Sequence, residues 1–555
     1  MASLIVRDNP SIEDFLIKHP DIKKGKMLSG NYLILILPDD RAAEMVNDLG
    51  NTKVDAYSLI VGLLGKEALD ASGITPIQQQ PFLDLKGRGV LLGFIDTGID
   101  YTKNAFIYED GTSKVQYIWD QTIEGPGPAD YGFGTEYNNP QINQALKAPN
   151  PFDVVPHRDT VGHGTFLASV AGSRESGEYL GAAPDADIIA VKLRRVGKFY
   201  TDVFLIPPEQ ENAFESIDVM LGVEYILDKS FELGKPAAIC ISVGTNEGGH
   251  DGFNIFEEYL SRISHRSGVT LCCAAGNEGN AGHHTSGVIK KEGDVNRIEI
   301  TVGENAGNLY FNLWNDASDR ISVSITSPTG EMVGRVPAKN GSVYTERLVF
   351  ENSEITVFYF FPIEGSGSQL TVVKIMNATP GIWAILAHGD IILEGKYDAW
   401  LPMTGFISPN VEFLSPTPEC TIVVPATTMG VITCGAYNSL DKSFYVSSSW
   451  GPTRMPMLMP DITAPGAEVT GVYPTGYGMM EGTSVAAAVA TGACALLLQW
   501  GVVNKNEIFV DTYLARAYLI RGCDRPPGFE YPNNQWGYGR MNLQNTFNLL
   551  RRTQG

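Results

Sequence analysis

A run of 21 residues without a charged side chain, from Ser484 to Asn504, is the feature that most constrains the fold of this 555-residue chain. A helix that is apolar on all sides must lie inside a large protein core or inside a membrane. The run is interrupted by Gly492, Gln499 and Gly501 and follows a polar turn. These features favour a buried core helix, so we expect a large globular core and no membrane span.

The turn before this run, Glu481-Gly-Thr-Ser484, places a serine hydroxyl at the N-terminus of the predicted helix. Unpaired backbone N–H groups and the helix dipole favour developing negative charge at that position. The position therefore suits a serine that acts as a nucleophile. Serine is also a common helix N-cap, so the turn alone is typical of both roles.

Three other polar residues in glycine-rich turns supply the groups that a nucleophilic serine needs. Asp96 ends an apolar stretch (90–95), His163 lies between two glycines, and Asn277 follows Ala-Ala-Gly. Acyl transfer needs an acid to orient an imidazole, an imidazole to take the serine proton, and an amide to donate to the oxyanion. Each residue alone is also typical of an ordinary turn or loop. Together with Ser484 they predict the catalytic set of a serine protease.

These motifs are Asp-Thr-Gly (96–98), Gly-His-Gly-Thr (162–165), Ala-Ala-Gly-Asn (274–277) and Gly-Thr-Ser (482–484), and they resemble those of the subtilisin-like serine proteases, the subtilases. The resemblance extends to Pro460–Gly466, the segment that leads toward the nucleophile. It implies a doubly wound, mostly parallel α/β sheet.

The same resemblance assigns a role to each candidate residue. It implies a catalytic triad of Asp96, His163 and Ser484, with Asn277 in the oxyanion hole. Ile241-Ser-Val-Gly is similar to the family's substrate-binding strand, so Ser242, Val243 and Gly244 are expected to bind the substrate as an added strand.

Two positions depart from the family pattern. Phe166 stands where His is common, and we expect it to alter only packing. Ala488 stands four residues after Ser484, where Pro is common, and we expect it to reshape the start of the helix. Neither change removes a catalytic group, so the resemblance still implies an active serine endopeptidase.

The pattern of secondary structure divides the chain into regions. Alternating strands and helices in 165–283 predict a parallel sheet covered by helices. Residues 295–400 instead carry short strand candidates separated by Asn, Gly, Asp and Ser, which predicts an inserted β sandwich or jelly roll. The predicted regions are a prodomain (1–66), a subtilase domain in two parts (67–294 and 411–555), and an inserted all-β domain (295–410).

The N-terminal region has its own strand and helix pattern. Asn31 to Pro38 is strand-like, Asp40 to Leu49 fits a short helix, and Val54 to Leu64 is apolar. The pattern resembles the α+β prodomain of subtilases, a folding template whose tail lies in the active site. An unrelated N-terminal extension is the alternative. The resemblance implies that Tyr57 to Lys66 is the tail and that the enzyme cleaves itself once between about residues 57 and 80.

Composition excludes several classes of function. The formal net charge of −22 argues against a nucleic-acid-binding surface. The N-terminus has no basic region followed by an apolar run, so we expect no signal peptide.

The seven cysteines are an odd number and lie mostly in apolar patterns. We therefore expect buried free thiols in a reducing compartment, and no metal or other cofactor.

The chain further resembles the Csp germination proteases of spore-forming clostridia in its length, its YIWDQT stretch (117–122) and the position of its insertion between Asn277 and Ser484. This resemblance implies a spore or cytoplasmic location and a protein substrate, the zymogen of a cortex-degrading hydrolase. It also implies that the chain's own prodomain is a partner. One alternative is a general cytoplasmic subtilase for peptide turnover. Another is a non-catalytic sensing or binding module whose prodomain permanently fills the cleft.

Overall fold

The computed structural model describes residues 2–7, 10–28, 32–38, 41, 60–63, 69–174 and 181–553. The strands in these ranges are β1 (Ala2–Arg7), β2 (Lys23–Leu28), β3 (Tyr32–Leu37), β4 (Ile60–Leu63), β5 (Leu91–Asp96), β6 (Val115–Asp120), β7 (Thr135–Asn138), β8 (Asp187–Lys192), β9 (Phe214–Glu215), β10 (Ala237–Ile241), β11 (Val243–Gly244), β12 (Val269–Ala274), β13 (His284–Val288), β14 (Val295–Val302), β15 (Leu309–Asn315), β16 (Arg320–Thr326), β17 (Met332–Val336), β18 (Val343–Arg347), β19 (Glu354–Phe360), β20 (Gln369–Met376), β21 (Gly381–Ile391), β22 (Lys396–Trp400), β23 (Val411–Phe413), β24 (Ile432–Asn438), β25 (Ile462–Ala467), β26 (Val469–Tyr473) and β27 (Gly476–Met480). The α-helices are α1 (Pro10–Lys18), α2 (Ile74–Gln78), α3 (Asn139–Leu146), α4 (His163–Gly172), α5 (Lys198–Val203), α6 (Ser216–Leu233), α7 (Ile255–Ile263), α8 (Thr483–Leu498), α9 (Thr512–Gly522) and α10 (Leu543–Thr553).

An eight-stranded sheet forms the centre of the protein, in the order β25-β24-β12-β10-β5-β8-β6-β7. Its strands are parallel except for β7, which pairs antiparallel with β6 at one edge. Side chains on successive strand residues point to opposite faces, so β5 contributes to two cores. Leu92 and Phe94 pack on the face that α4 and α8 cover, whereas Leu91 and Ile95 pack on the face of α6 and α7. The predicted parallel α/β sheet is confirmed.

Helix α8 is the buried helix at the centre of one of these cores. All its residues are buried, and it continues into a π-helical turn at Gln499–Val503. The segment Thr483–Val503 is long and apolar enough to cross a membrane by length and composition, but 94% of its most apolar window lies inside the protein. Such burial is what a core helix requires. Ala488 leaves the helix unbroken from its first residue.

Two antiparallel sheets share a separate apolar core. One has the order β13-β22-β15-β20-β19-β18 and the other β17-β16-β21-β14-β23. Their inward residues form one cluster, so the two sheets make a β sandwich. The predicted insertion, 295–410, lies within these sheets, but they also include β13 before it and β23 after it. Both of these strands lie at sheet edges and are short.

The N-terminal region forms a three-stranded antiparallel sheet with β3 in the middle. Leu33, Leu35 and Leu37 pack in a cluster with residues of α1, whereas Ile34 and Ile36 pack in the core beneath α6. Strand β3 therefore joins this sheet to the central domain. The strand predicted from the YLILIL pattern is confirmed, and the helix predicted at 40–49 lies outside the described residues except for Arg41.

Candidate active site

The carboxyl ends of neighbouring strands bring the first candidate residues together. Asp96 is the last residue of β5, and Ser242 follows β10, which pairs with β5 in parallel register. Parallel strands present the residues at their carboxyl ends along one edge of the sheet. The Ser242 hydroxyl donates a hydrogen bond to Asp96 Oδ2 at 2.6 Å.

Asp96 also binds the imidazole of His163. The Nδ1 atom of His163 lies 2.9 Å from Asp96 Oδ1 and 2.8 Å from Oδ2. Burial alone would raise the pKa of Asp96, but the imidazole of His163 and the hydrogen bond from Ser242 lower it below its ordinary value. The carboxylate is therefore ionised at neutral pH and can hold the ring with its Nδ1 protonated.

Glycines explain why this pair forms at the start of α4, where His163 is the first residue. Gly162 has a φ of 90°, and a Cβ at Gly164 would lie only 2.2 Å from the carbonyl oxygen of Gly98. The helix can approach the Asp96 turn this closely only because position 164 has no side chain. The N–H of Gly164 donates to Thr97 Oγ1 at 3.1 Å, which fixes the approach.

Ser484 is the second residue of α8 and lies beside Ser242, the residue that follows β10. Its hydroxyl donates to the carbonyl oxygen of Ser242 at 3.0 Å. Ser242 thus contacts Asp96 through its hydroxyl and Ser484 through its carbonyl, which brings the predicted acid and nucleophile together. For Ser484 to give its proton to His163, its hydroxyl hydrogen must turn away from Ser242, an adjustment common before substrate binds.

Thr483, the residue before Ser484, holds Asn277 beside the predicted nucleophile. Its Oδ1 accepts hydrogen bonds from the N–H of Thr483 at 3.0 Å and the hydroxyl of Thr483 at 3.3 Å. The same hydroxyl oxygen accepts from the N–H of Gly276 at 3.0 Å. Because Oδ1 is engaged with Thr483, the Nδ2 group is the part of the Asn277 amide that can donate to an oxyanion.

A second buried Asp–His pair, which was not predicted from the sequence, supports the turn after Asp96. Asp120 ends β6, and its Oδ2 lies 2.6 Å from Nδ1 of His157. The Nε2 atom of His157 accepts from the backbone N–H of Ile99 at 3.1 Å. A Cβ at Gly98 would lie 2.7 Å from the His157 ring, so the turn packs directly on it. An aspartate at the end of the apolar YIW strand was the available signal.

A strand of the N-terminal region occupies the cleft that leads to Ser484. Strand β4 lies between β11 and β9 in a small sheet, antiparallel to both. Leu63 faces Val243, Gly62 faces Gly244, and Ile60 faces Glu215. The candidate substrate-binding residues 243 and 244 therefore already pair with an added strand. From Gly62 to Leu63, β4 passes from Gly244 to Val243, so it runs in the direction of Ser242.

Phe166 and the seven cysteines are the remaining residues that were considered in the sequence. Phe166 is buried and packs on Tyr473, with ring centroids 5.0 Å apart. All seven cysteines are free thiols, and six of them are buried. Within the described ranges, no group of three or more His, Cys, Asp or Glu residues is placed to hold a metal ion.

Comparison with known proteins identifies the family of this chain. The sequence pattern of the subtilase family matches residues 87–332 and 410–539, which together exceed half of the chain. The intervening gap falls inside the β sandwich.

Individual relatives are also proteases. The CspB protease of Clostridium perfringens is similar in structure, with a TM-score of 0.77 and 31% identity over 87% of this chain and 98% of that one. The PII-type proteinase of Lactococcus lactis subsp. cremoris is 23% identical over 77% of this chain. The minor extracellular protease Vpr of Bacillus subtilis (strain 168) is 22% identical over 80%. The aligned regions span 23% and 55% of the length of the latter two proteins. The chain belongs to the subtilase family of serine proteases.

Proposed function

We propose that this subtilase cleaves its own N-terminal region and then acts in spore germination, where it activates the zymogen of a cortex-degrading hydrolase. Self-cleavage is supported chiefly by β4, which pairs with the substrate-binding residues and runs toward Ser484. The germination role rests on the similarity to the CspB protease along nearly the whole of that chain.

The proposed reaction is acyl transfer to serine. Asp96 holds His163 with its Nδ1 protonated, and the other ring nitrogen takes the proton of Ser484. Ser484 attacks the scissile carbonyl, and the oxyanion accepts hydrogen bonds from the Asn277 amide and the Ser484 backbone N–H. His163 then protonates the leaving amine, and water hydrolyses the acyl-enzyme by the same route.

The direction of β4 narrows the self-cleavage site. Leu63 lies opposite Val243, and β4 runs in the direction of Ser242, whose carbonyl binds the Ser484 hydroxyl. The bond that Ser484 attacks therefore lies on the C-terminal side of Leu63. We expect the new N-terminus between Leu63 and Leu69, a narrower range than the sequence predicts.

N-terminal sequencing of the purified wild-type chain and of Ser484→Ala tests this proposal. The wild type should begin between residues 64 and 69, and Ser484→Ala should retain residue 1 or 2. Identical intact N-termini in both proteins would contradict self-cleavage.

Contacts of the N-terminal strand β1 favour its staying bound after cleavage. The backbone N–H of Ser3 donates to Glu215 Oε2 at 3.1 Å, and the Tyr200 hydroxyl donates to the Ser3 carbonyl at 2.9 Å. Arg194 donates to the Ser3 hydroxyl. We expect the prodomain to stay docked through these β1 contacts after cleavage, while its cleaved tail leaves the cleft and opens Ser484 to substrate.

Two experiments separate this proposal from its alternatives. A fluorophosphonate probe should label Ser484 in the processed enzyme, whereas a permanently blocked binding module would remain unlabelled. The processed enzyme should cut a purified cortex-hydrolase zymogen at one site. Broad hydrolysis of unrelated peptides, with no preferred site in the zymogen, would instead support a general turnover protease.

A further inference from the structure

A cavity of about 520 Å³ lies where the added strand leaves the cleft on its N-terminal side. Ile60, the first residue of β4, faces Glu215, the last residue of β9. The cavity is lined by the next two residues, Ser216 and Ile217, and on the other side by Glu247 and Gly248, which closely follow β11. A longer bound peptide therefore reaches this cavity with the residues that precede those occupying the β4 positions.

The β sandwich supplies one wall of the cavity with apolar side chains. In β19, Val357 and Tyr359 point into the sandwich core, whereas Phe358 and Phe360 line the cavity. The Phe358 and Phe360 rings lie nearly parallel, with centroids 6.4 Å apart. The outer face of a sandwich is ordinarily solvated and polar, so an aromatic outer face indicates a binding surface.

The neighbouring strand and the central domain complete the apolar lining. Leu370 and Val372 of β20 extend the sandwich wall, and Met220 and Phe256 contribute from α6 and α7. The volume falls within the range of specific ligand pockets, about 300–1,000 Å³. It is sufficient for one or two large side chains.

The two charged side chains in the cavity wall, Glu247 and Lys374, are hydrogen-bonded to other groups of the protein. Glu247 accepts hydrogen bonds from the Tyr310 hydroxyl and from Asn312 Nδ2, the latter at 2.7 Å. The Lys374 ammonium donates to the Val203 carbonyl. Because these polar atoms are already engaged, the cavity favours an apolar occupant over a charged one.

Trp314 also lines the cavity. Its indole N–H is buried and has no hydrogen-bond partner in the described part of the chain. A buried donor of this kind can be satisfied by a carbonyl of an occupant. A peptide offers both the apolar side chains and the carbonyls that such a wall requires.

We propose that this cavity is an extended substrate subsite, which binds large apolar side chains upstream of the residues that pair with β9 and β11. The inference rests on the proposed proteolytic function and deepens it. It defines the substrate class as proteins that carry an apolar segment, in extended conformation, on the N-terminal side of the cleaved sequence. The sandwich then contributes to specificity, because residues inserted between Asn277 and Ser484 form one wall of the subsite.

Peptide kinetics with the processed enzyme test this proposal. A short fluorogenic peptide begins at Ile60 and carries the self-cleavage sequence. Two longer peptides add four upstream residues that include either two phenylalanines or two serines. The phenylalanine extension should raise kcat/KM by about 10-fold or more, mainly through a lower KM, because it buries apolar surface. The serine extension should leave kcat/KM unchanged.

Variants of the sandwich wall provide the decisive comparison. Phe358→Asp should abolish the gain from the phenylalanine extension and leave turnover of the short peptide unchanged. Val372→Trp, which fills the cavity instead of emptying it, should do the same. Phe350→Asp is the matched control, because Phe350 is an exposed phenylalanine of the same sandwich outside the cavity lining, and it should retain the gain. Thermal unfolding confirms that each variant is folded.

The outcomes are distinguishable. Equal kcat/KM for the three peptides, with the short one cleaved, overturns the subsite but leaves the proposed function standing. A gain that survives in both Phe358→Asp and Val372→Trp also overturns it. If none of the peptides is cleaved, the proposed function fails and the subsite fails with it, because there is then no substrate strand to extend.

Discussion

Two Asp–His pairs lie within one domain, and they differ in what surrounds the imidazole. In each pair an aspartate ends a strand of the central sheet and binds Nδ1 of a histidine, at 2.8 Å for Asp96–His163 and 2.6 Å for Asp120–His157. His157 is fully buried, and its Nε2 accepts from the N–H of Ile99. His163 is 6% exposed, and its partner Asp96 also accepts from Ser242, whose carbonyl binds the Ser484 hydroxyl.

The difference shows that an Asp–His contact is not by itself a catalytic feature. An imidazole with both nitrogens bound to fixed protein groups cannot exchange a proton with a substrate. His157 therefore fixes the turn after Asp96, as a positioning residue. His163 binds Asp96 through Nδ1, and Ser242 connects that aspartate to Ser484, so we propose His163 and not His157 as the general base.

The largest expected effect comes from removing the imidazole of His163, the proposed general base. His163→Ala should lower kcat/KM on a peptide substrate by about 10⁶-fold, because the general base and general acid are lost together. The variant should remain folded but melt below the wild-type temperature, because buried Asp96 keeps its hydrogen bonds from Ser242 and Thr97 but loses the imidazole. Peptide hydrolysis and thermal unfolding measure the two effects. Retention of even one per cent of the activity would exclude His163 as the base.

Removing the imidazole of His157 should lower stability strongly and activity much less than the loss of His163 does. His157→Ala should lower the free energy of unfolding by about 3–5 kcal/mol, because Asp120 then lies buried without its partner. Activity should fall only about 10²-fold, through displacement of the Asp96 turn. His157→Asn, which keeps a donor for Asp120, should recover part of both losses. An activity loss as large as that of His163→Ala would place His157 in the chemistry.

These two pairs also show what the sequence could and could not predict. Asp96, His163, Asn277 and Ser484 were predictable because the close packing around them requires glycines, as at Gly164, and glycines are visible in a sequence. His157 is flanked by Pro156 and Arg158 instead. Its partners, Asp120 and Ile99, meet it only in the folded chain, and no local pattern records that contact.

The β sandwich gives the same lesson for secondary structure. Strands such as β19 and β20 alternate apolar and polar residues strongly enough to be recognised as strands from the sequence. The edge strands β13 and β23 lie outside the range predicted to be all-β, because they are short and partly exposed and lack a clear apolar pattern. The cavity was not predictable from the sequence, because Phe358 and Phe360 resemble ordinary strand residues. Only the folded chain brings the helices that face them into position.

The distinction between reacting and positioning groups extends to the oxyanion side. Asn277→Ala should lower kcat by about 10²–10³-fold, with KM nearly unchanged, because a donor to the oxyanion is lost. Thr483→Val removes the hydroxyl that links Asn277 to Gly276 but keeps the backbone N–H contact. It should therefore cost only about 10-fold in kcat. Equal losses in the two variants would mean that Asn277 acts only by holding the turn.

The smallest expected effect is a change in how stability depends on pH. Burial alone would raise the pKa of Asp120, but the hydrogen bonds from His157 and Thr122 lower it below its ordinary value of 3.8. A carboxylate with a lowered folded-state pKa contributes stability above its unfolded pKa and loses it as the pH falls through the folded value. The wild type should therefore lose this contribution only below about pH 4.

In His157→Ala the sign reverses, because burial then dominates and raises the pKa of Asp120. A raised carboxylate pKa favours the protonated folded state, so the variant should gain stability as the pH falls from 7 toward 4. The stability gap between wild type and variant should narrow by on the order of 1–2 kcal/mol over that range. Urea unfolding at pH 7, 5.5 and 4 measures the gap, with His163→Ala as the control for the other pair. A constant gap for His157→Ala would show that its cost comes from lost packing and not from the unpaired charge of Asp120.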